Sequence, residues 1–244
     1  MKNPLIKKDI VKTNMAKSKV SSVCLCLNVQ GFNPSPRSKS SWKLPRLKEE
    51  ISKLYKEHFN VPFLAIVETW LKPEITEAEI HINGYEVFRC DREKTIHGGV
   101  LLYVHQKIII DSSSYFNDDI CCGVFCFSKR SKFVLACVYR PPTADFSSFS
   151  KLLEHLNNFI LQYNPLNKYH VFVFGDFNLP KFCWKSFNQG TFSCQTPPYK
   201  ALVDFMNHHY LSQYVEENTR KDNILDLFLT DDACFVHHVT CNIM

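Results

Sequence analysis

Glycine is scarce, with seven in 244 residues, and none builds a Gly-x-Gly-x-x-Gly or Walker-type phosphate loop. A nucleotide-binding doubly wound sheet is therefore a poor fit. No apolar run approaches the length of a membrane-spanning helix, and the first residues lack the apolar stretch of a signal peptide. The eleven cysteines are odd in number and never form the Cys-x-x-Cys knuckles that tetrahedral zinc prefers. Cys24 and Cys26 fall in an alternating strand pattern, and Cys121, Cys122, Cys126 and Cys137 sit among β-branched and aromatic residues, as buried thiols do. Free thiols imply a reducing compartment, so the chain reads as cytoplasmic or nuclear and not secreted, with no membrane partner.

Charge is also missing from the body of the chain. Residues 1–19 hold six lysines against Asp9 alone, and these account for the whole net charge of +5. A basic nucleic-acid surface cannot be argued from composition, because the remaining residues are formally neutral. The stretch 1–19 reads as a flexible basic arm, a solvated terminus more than a docking element. Residues 20–244 read as one domain. A hydrophobic content of 45% and an aromatic content of 14% give it enough material for a packed core.

Periodicity supplies the elements. Val20 to Val29 alternates and predicts a strand ending at Asn28, followed by a Pro- and Ser-rich loop over Gly31–Ser41. Leu44, Leu47, Ile51 and Leu54 recur at helical spacing and lead to a second strand, Val61–Val67. Tyr85–Arg89, Gly99–Val104, Gly123–Phe127 and Phe133–Tyr139 are short runs between polar breaks, most simply a meander. Phe146, Phe149, Leu152, Leu153, Leu156, Phe159, Ile160 and Tyr163 trace a long helix with Asp145 as its N-cap. His170–Phe174 is a strand, Tyr199 to Tyr210 a third helix, and Ile224–Thr230 a last strand. The expectation is a mixed α/β (α+β) domain, a four-layer sandwich of two packed mixed β-sheets flanked by helices.

Polar residues stand at the ends of several of these apolar strands: Asn28, Glu68, Tyr139 with Arg140, and Asp176 with Asn178. Taken singly, each is an ordinary turn, cap or surface residue. Their repetition in one strand-then-loop context places them together in a cleft at the strand ends.

In these segments the sequence resembles the endonuclease/exonuclease/phosphatase superfamily, and most nearly the endonuclease domain of non-LTR (LINE-type) retrotransposons. The resemblance rests on Leu27-Asn28-Val29-Gln30-Gly31, Glu68-Thr69-Trp70-Leu71, Gly98-Gly99-Val100, Val138-Tyr139-Arg140-Pro141-Pro142, Gly175-Asp176-Phe177-Asn178 and Asn223-Ile224-Leu225-Asp226-Leu227. It covers about residues 20–235. By resemblance Glu68 would hold Mg²⁺, with Mn²⁺ as a substitute, and Asn28 would support that metal site. Tyr139 would hydrogen-bond the scissile phosphate, and Asp176, helped by Asn178, would orient or activate the attacking water. Thr219 would contact the DNA or the site wall. Arg140 would either add a cation for the substrate or be structural. Asp226 matches the carboxylate that holds a histidine in a closing Ser-Asp-His tripeptide.

That tripeptide does not occur in the 244 residues. His237 and His238 follow too soon and lack the preceding Asp, and Asp231-Asp232 has no polymerase palm sequence around it. The domain is therefore expected to be C-terminally incomplete. The implied function is Mg²⁺-dependent nicking of target DNA without a small-molecule cofactor. Two other readings stay open: a phosphatase of the same fold, and an inactive nucleic-acid-binding remnant.

Overall fold

Strict alternation of side chains decides the layering. In a computed structural model describing residues 7–13, 22–32, 43–57, 59–188, 196–233, 236 and 238–243, twelve strands form two six-stranded sheets. The first sheet is built from β1 (Lys7–Thr13), β2 (Ser22–Asn28), β3 (Phe63–Val67), β4 (Tyr85–Cys90), β5 (Val100–His105) and β12 (His238–Ile243), in the order β12-β1-β2-β3-β5-β4. The second holds β6 (Ser112–Asn117), β7 (Cys122–Ser128), β8 (Phe133–Tyr139), β9 (His170–Asp176), β10 (Ser212–Gln213) and β11 (Asp226–Thr230), in the order β10-β11-β9-β8-β7-β6. Each sheet is antiparallel except for one central parallel pair, β2 with β3 and β8 with β9.

Successive residues on these strands face opposite layers. Cys24 and Cys26 of β2, Phe63, Ala65 and Val67 of β3, Leu135 and Cys137 of β8, and Phe172 and Phe174 of β9 fill the space between the sheets. Their neighbours Leu25, Leu27, Leu64 and Ile66 turn outward onto α1 (Lys43–Lys56), whose Leu44, Leu47, Ile51 and Leu54 are buried there. Val134, Ala136, Val171 and Val173 turn to the other side. There they meet α3 (Phe146–Tyr163) and α5 (Pro197–His208). The result is the expected four-layer sandwich. Two short helices, α2 (Glu77–Ile80) and α4 (Trp184–Asn188), complete the described helices.

Local chemistry agrees with this arrangement. The Asp145 carboxylate caps α3 by accepting from the Ser148 N–H at 2.8 Å, satisfying one of the helix's orphan donors. Phe146, counted by spacing on the buried face of that helix, is exposed. No described helix is long and apolar enough to cross a membrane. Cys121, Cys122, Cys126 and Cys137 are buried free thiols. Burial pushes the Cys121 thiol up to about 12.

Two expectations differ from the structure, and a third falls outside the described residues. The four runs expected as one meander are divided: β4 and β5 pair in the first sheet, whereas β7 and β8 pair in the second. The division comes from β6, Ser-Ser-Ser-Tyr-Phe-Asn, a polar edge strand that begins the second sheet beside β7 and escaped notice for want of apolar residues. Lys7–Thr13, within the stretch read as an arm, is a strand paired antiparallel to β2 and to β12. Its Ile-Val-Lys-Thr segment is β-branched enough for a strand once two flanking strands offer their backbone groups. The Pro- and Ser-rich loop lies outside the described residues from position 33 onward.

Gly175 shows how tightly the second sheet is closed. It pairs with Val138 in the parallel β8–β9 ladder, and an added Cβ would collide with the Val138 carbonyl oxygen. Gly175→Ala is expected to destabilise the fold by about 1–3 kcal/mol. The check is a lowered urea midpoint at unchanged denaturant slope.

Candidate active site

The inward-facing file of each central strand ends in a polar residue at one end of the sandwich. In β2 the file runs Cys24, Cys26, Asn28; in β9 it runs Phe172, Phe174, Asp176; in β8 it ends Cys137, Tyr139. β11 runs the other way, so Asp226 at its start, two residues before inward Phe228, reaches the same end. Register confirms the alignment, since Tyr139 pairs with Asp176 and Asp176 with Asp226. Asn28 pairs with Val67, the residue before Glu68. The strand-end residues named from the sequence are thus brought together as the polar lip of the inter-sheet core.

One side chain joins the sheets there. The Asn28 Nδ2 donates to Asp176 Oδ2 at 3.0 Å and to Asp226 Oδ1 at 3.5 Å. Asp176 is almost fully buried and also accepts the Asn178 N–H at 3.0 Å. Its carboxyl is pushed well above the ordinary carboxylate range, first by burial and then by the negative charges of Asp226 and Glu68, with the Asn178 N–H and Arg220 opposing. Tyr139, also buried, has its phenol pushed up by burial, by the Glu68 charge and hydrogen bond, and by Asp176, while Arg92 acts the other way.

Glu68 and Asn178 are held in backbone conformations that only a minority of side chains adopt, with φ of 56° and 45°. For Asn178 the reason is visible: its Nδ2 donates to the Arg140 carbonyl at 2.8 Å. The Glu68 Oε2 accepts from the Trp70 Nε1–H at 2.6 Å and from the Gly98 N–H at 3.0 Å.

Arg140 and Thr219, each open to a substrate contact or to a role in the framework of the site, are both turned inward. The buried Arg140 guanidinium donates to the carbonyls of Asn178 at 2.9 Å and Ala144 at 2.9 Å, and lies over the Phe149 ring at 5.3 Å. It fastens the Asp176–Asn178 loop. Thr219 is 1% exposed, and its hydroxyl accepts the N–H groups of Leu225 and Asp226 at 2.9 and 3.1 Å. Thr219 therefore fixes the backbone that carries Asp226. His238 is level with Lys12 and hence with Val23, five residues from Asn28 along β2, roughly 16 Å at the rise of a strand. His237 lies outside the described residues.

Sequence reasoning missed Arg92. Its buried guanidinium lies 5.7 Å from the Tyr139 ring centre and donates to the carbonyls of His97 and Asp119. Gly98, at φ 92°, lets these groups close up, because a Cβ there would touch both Arg92 and Tyr139. Nothing in Cys-Asp-Arg-Glu marks this arginine out beforehand.

Among the described residues no three His, Cys, Asp or Glu side chains converge as a metal centre. The donor set still fits a hard divalent cation of the Mg²⁺ kind, which takes one or two carboxylates and keeps several waters. Asp226 and Glu68 both act on Asp176 here, and the Asn28 Oδ1 is a buried acceptor without a hydrogen-bond partner. An orphaned buried oxygen beside clustered negative charge is what such a cation would satisfy. A cavity of about 620 Å³, lined by Lys181, Trp184, Gln213, Asn218 and Asn223 among others, includes none of these oxygens.

The sandwich matches a mannosyl-6-phosphatase from Bacteroides thetaiotaomicron VPI-5482 with a TM-score of 0.57 at 10% identity, over 88% of this chain and 86% of that one. It matches the endonuclease domain of TRAS1, a telomere-specific non-LTR retrotransposon, with a TM-score of 0.52 at 14% identity, over 84% and 83%. The human Nocturnin catalytic domain aligns with a TM-score of 0.53 at 15% identity, over 95% and 83%. A B. thetaiotaomicron protein of the endonuclease/exonuclease/phosphatase family also matches, with a TM-score of 0.56. The chain has the endonuclease/exonuclease/phosphatase fold. Residues 133–243 match the family model described as "Endonuclease-reverse transcriptase". That span of the fold contains Tyr139, Asp176, Asn178, Thr219 and Asp226. No curated protein sequence matches the chain.

The charge cluster makes a prediction about stability. A carboxyl whose pKa is raised on folding lowers stability above its folded value and has no effect below its unfolded one. Asp226→Asn removes the larger of the two charges raising Asp176. Without metal it is expected to stabilise the protein near pH 7 by on the order of 1 kcal/mol. The gain should shrink as pH falls toward the ordinary carboxylate range at about pH 4. Urea unfolding at both pH values checks the magnitude and its direction.

Proposed function

We propose that this chain is a Mg²⁺-dependent phosphodiesterase that nicks DNA, of the kind that serves a non-LTR retrotransposon. The observation that carries the reading is the joining of Asn28, Asp176 and Asp226 by one amide at the end of the inter-sheet core, with Glu68 and Tyr139 acting on the same group. The endonuclease-reverse transcriptase match favours nucleic acid over a small phosphorylated substrate.

Each residue then has a task. Glu68, supported by Asn28, would hold the cation, which when bound neutralises charge on the phosphate oxygens. Asp176, held by the Asn28 amide and the Asn178 N–H, orients the attacking water and, when ionised, takes its proton. Asn178 fixes that carboxylate through its backbone N–H, and the Tyr139 hydroxyl donates to a phosphate oxygen. Arg140 and Thr219 act behind these groups, one on the loop and one on the Asp226 backbone. Positioning of this kind supplies most of what a phosphoryl reaction needs from a protein.

A second reading, DNA binding without cleavage, is favoured by the absence of Ser-Asp-His from the 244 residues. Loss of one positioned acid or base costs about 10²–10⁴ in rate, and the described His238 stands away from the site. These 244 residues are therefore expected to nick supercoiled plasmid slowly and only with Mg²⁺ or Mn²⁺. Glu68→Ala and Asp176→Ala should each abolish the residual cutting. Appending a Ser-Asp-His segment should raise it by about 10²-fold or more. Hydrolysis of phosphate monoesters in place of plasmid nicking would overturn the nuclease reading, and binding without nicking even after the segment is added would favour the second.

A further inference from the structure

Glu68 leaves β3 through an unusual turn. Glu68 and Trp70 have φ of 56° and 54°, on either side of Thr69, which is fully buried and whose hydroxyl finds no partner. Such conformations persist only where the surroundings over-determine them. Here they do, since the Gly31 and Phe32 N–H groups donate to the carbonyls of Glu68 and Thr69 at 2.8 and 2.7 Å, and the Trp70 N–H donates to the Gly98 carbonyl at 2.8 Å. The turn is stitched between the segment after β2 and the glycine pair before β5.

Its consequence is to fold the Trp70 indole back over Glu68. The ring is gripped on two sides: a Cβ on Gly31 would lie 2.7 Å from it, and the His97 ring stands edge-on at 4.5 Å. So held, the indole Nε1–H reaches Glu68 Oε2 at 2.6 Å, and the Gly98 N–H reaches the same oxygen at 3.0 Å. Two donors on Oε2, with the Tyr139 hydroxyl as a further hydrogen-bond partner of the carboxylate, fix how it is turned.

We infer that Trp70 is a positioning residue that fixes the Glu68 carboxylate, through one hydrogen bond, in the orientation that receives a divalent cation. The inference rests on the reading of Glu68 as the cation's carboxylate. A charge-assisted hydrogen bond to a ligating carboxylate orients it before the cation arrives, and losing such a partner costs about 10–100-fold in metal affinity. In this role Trp70 acts through Glu68.

Trp70→Phe tests it, because phenylalanine keeps a ring between Gly31 and His97 and removes the N–H. Mn²⁺ binding to the metal-free proteins, followed by electron paramagnetic resonance of the free ion, should weaken by about 10–100-fold. The concentration of Mg²⁺ that half-saturates any nicking should rise in parallel, with the rate at saturating Mg²⁺ largely retained. Equal Mn²⁺ affinity in the two proteins would overturn the role of Trp70 and leave the metal reading standing. No Mn²⁺ binding by the unaltered chain would overturn both. Should Trp70→Phe fail to fold, the indole N–H resonances of the unaltered protein decide instead. The Trp70 signal, assigned by leaving Trp42→Phe and Trp184→Phe variants to identify the other two, is expected to move on Mg²⁺ titration, and its constancy would overturn the inference.

Discussion

Asp176 is a carboxylate 2% exposed to solvent, with Asp226 and Glu68 both acting on it. Removing a carboxylate from water beside others of its sign is expensive, and the group meets that cost by holding its proton to higher pH. The surrounding structure supplies what compensation it can. Asn28 reaches from the other sheet with an amide donor, the Asn178 backbone adds another, and Arg220 adds a distant positive charge. The remaining mismatch is specific in sign, and a hard cation bound among these oxygens would resolve it. The site thus trades stability of the metal-free fold for a place where positive charge is strongly favoured, a trade common where function requires strained or destabilised groups.

Much of this was legible in the sequence because a strand has a period of two. Cys24-x-Cys26-x-Asn28 and Phe172-x-Phe174-x-Asp176 each say that the polar residue shares a face with the apolar ones before it. If that face meets the other sheet, the polar residue must stand at its rim. The parallel pairing of β2 with β3 and β8 with β9 then sets all the C-terminal ends at one side. Helices were equally plain, since Asp145 caps where the spacing begins and the buried positions of α3 follow its 3.6-residue repeat.

What escaped reading was decided by tertiary context. Lys7–Thr13 carries lysines enough to read as a solvated arm, yet its backbone completes the first sheet between β2 and β12. β6 is nearly all polar and is a strand because β7 offers an edge. Arg140 has the composition of a substrate-binding cation, but three carbonyls from two loops claim its guanidinium. Thr219 likewise reads as a contact residue and proves to be the acceptor that shapes the Asp226 turn. In each case the residue type announced a capacity for hydrogen bonding, and the fold decided which partner met it.

The two halves of the chain also divide the site between them. The family match spans residues 133–243 and so takes in Tyr139, Asp176, Asn178 and Asp226, but neither Asn28 nor Glu68. What joins the halves is the packing of β2 and β3 against β8 and β9 and, at its rim, the Asn28 amide on two carboxylates. A second half folded without the first would leave Asp176 and Asp226 facing each other without that donor and without Glu68. A first half alone would hold Glu68 on its Trp70 and Gly98 donors with nothing opposite. The candidate site therefore belongs to the interface between the sheets, and the phenylalanine-rich core beneath it, Phe63 against Phe133, Phe172 and Phe174, holds the two sets of oxygens apart.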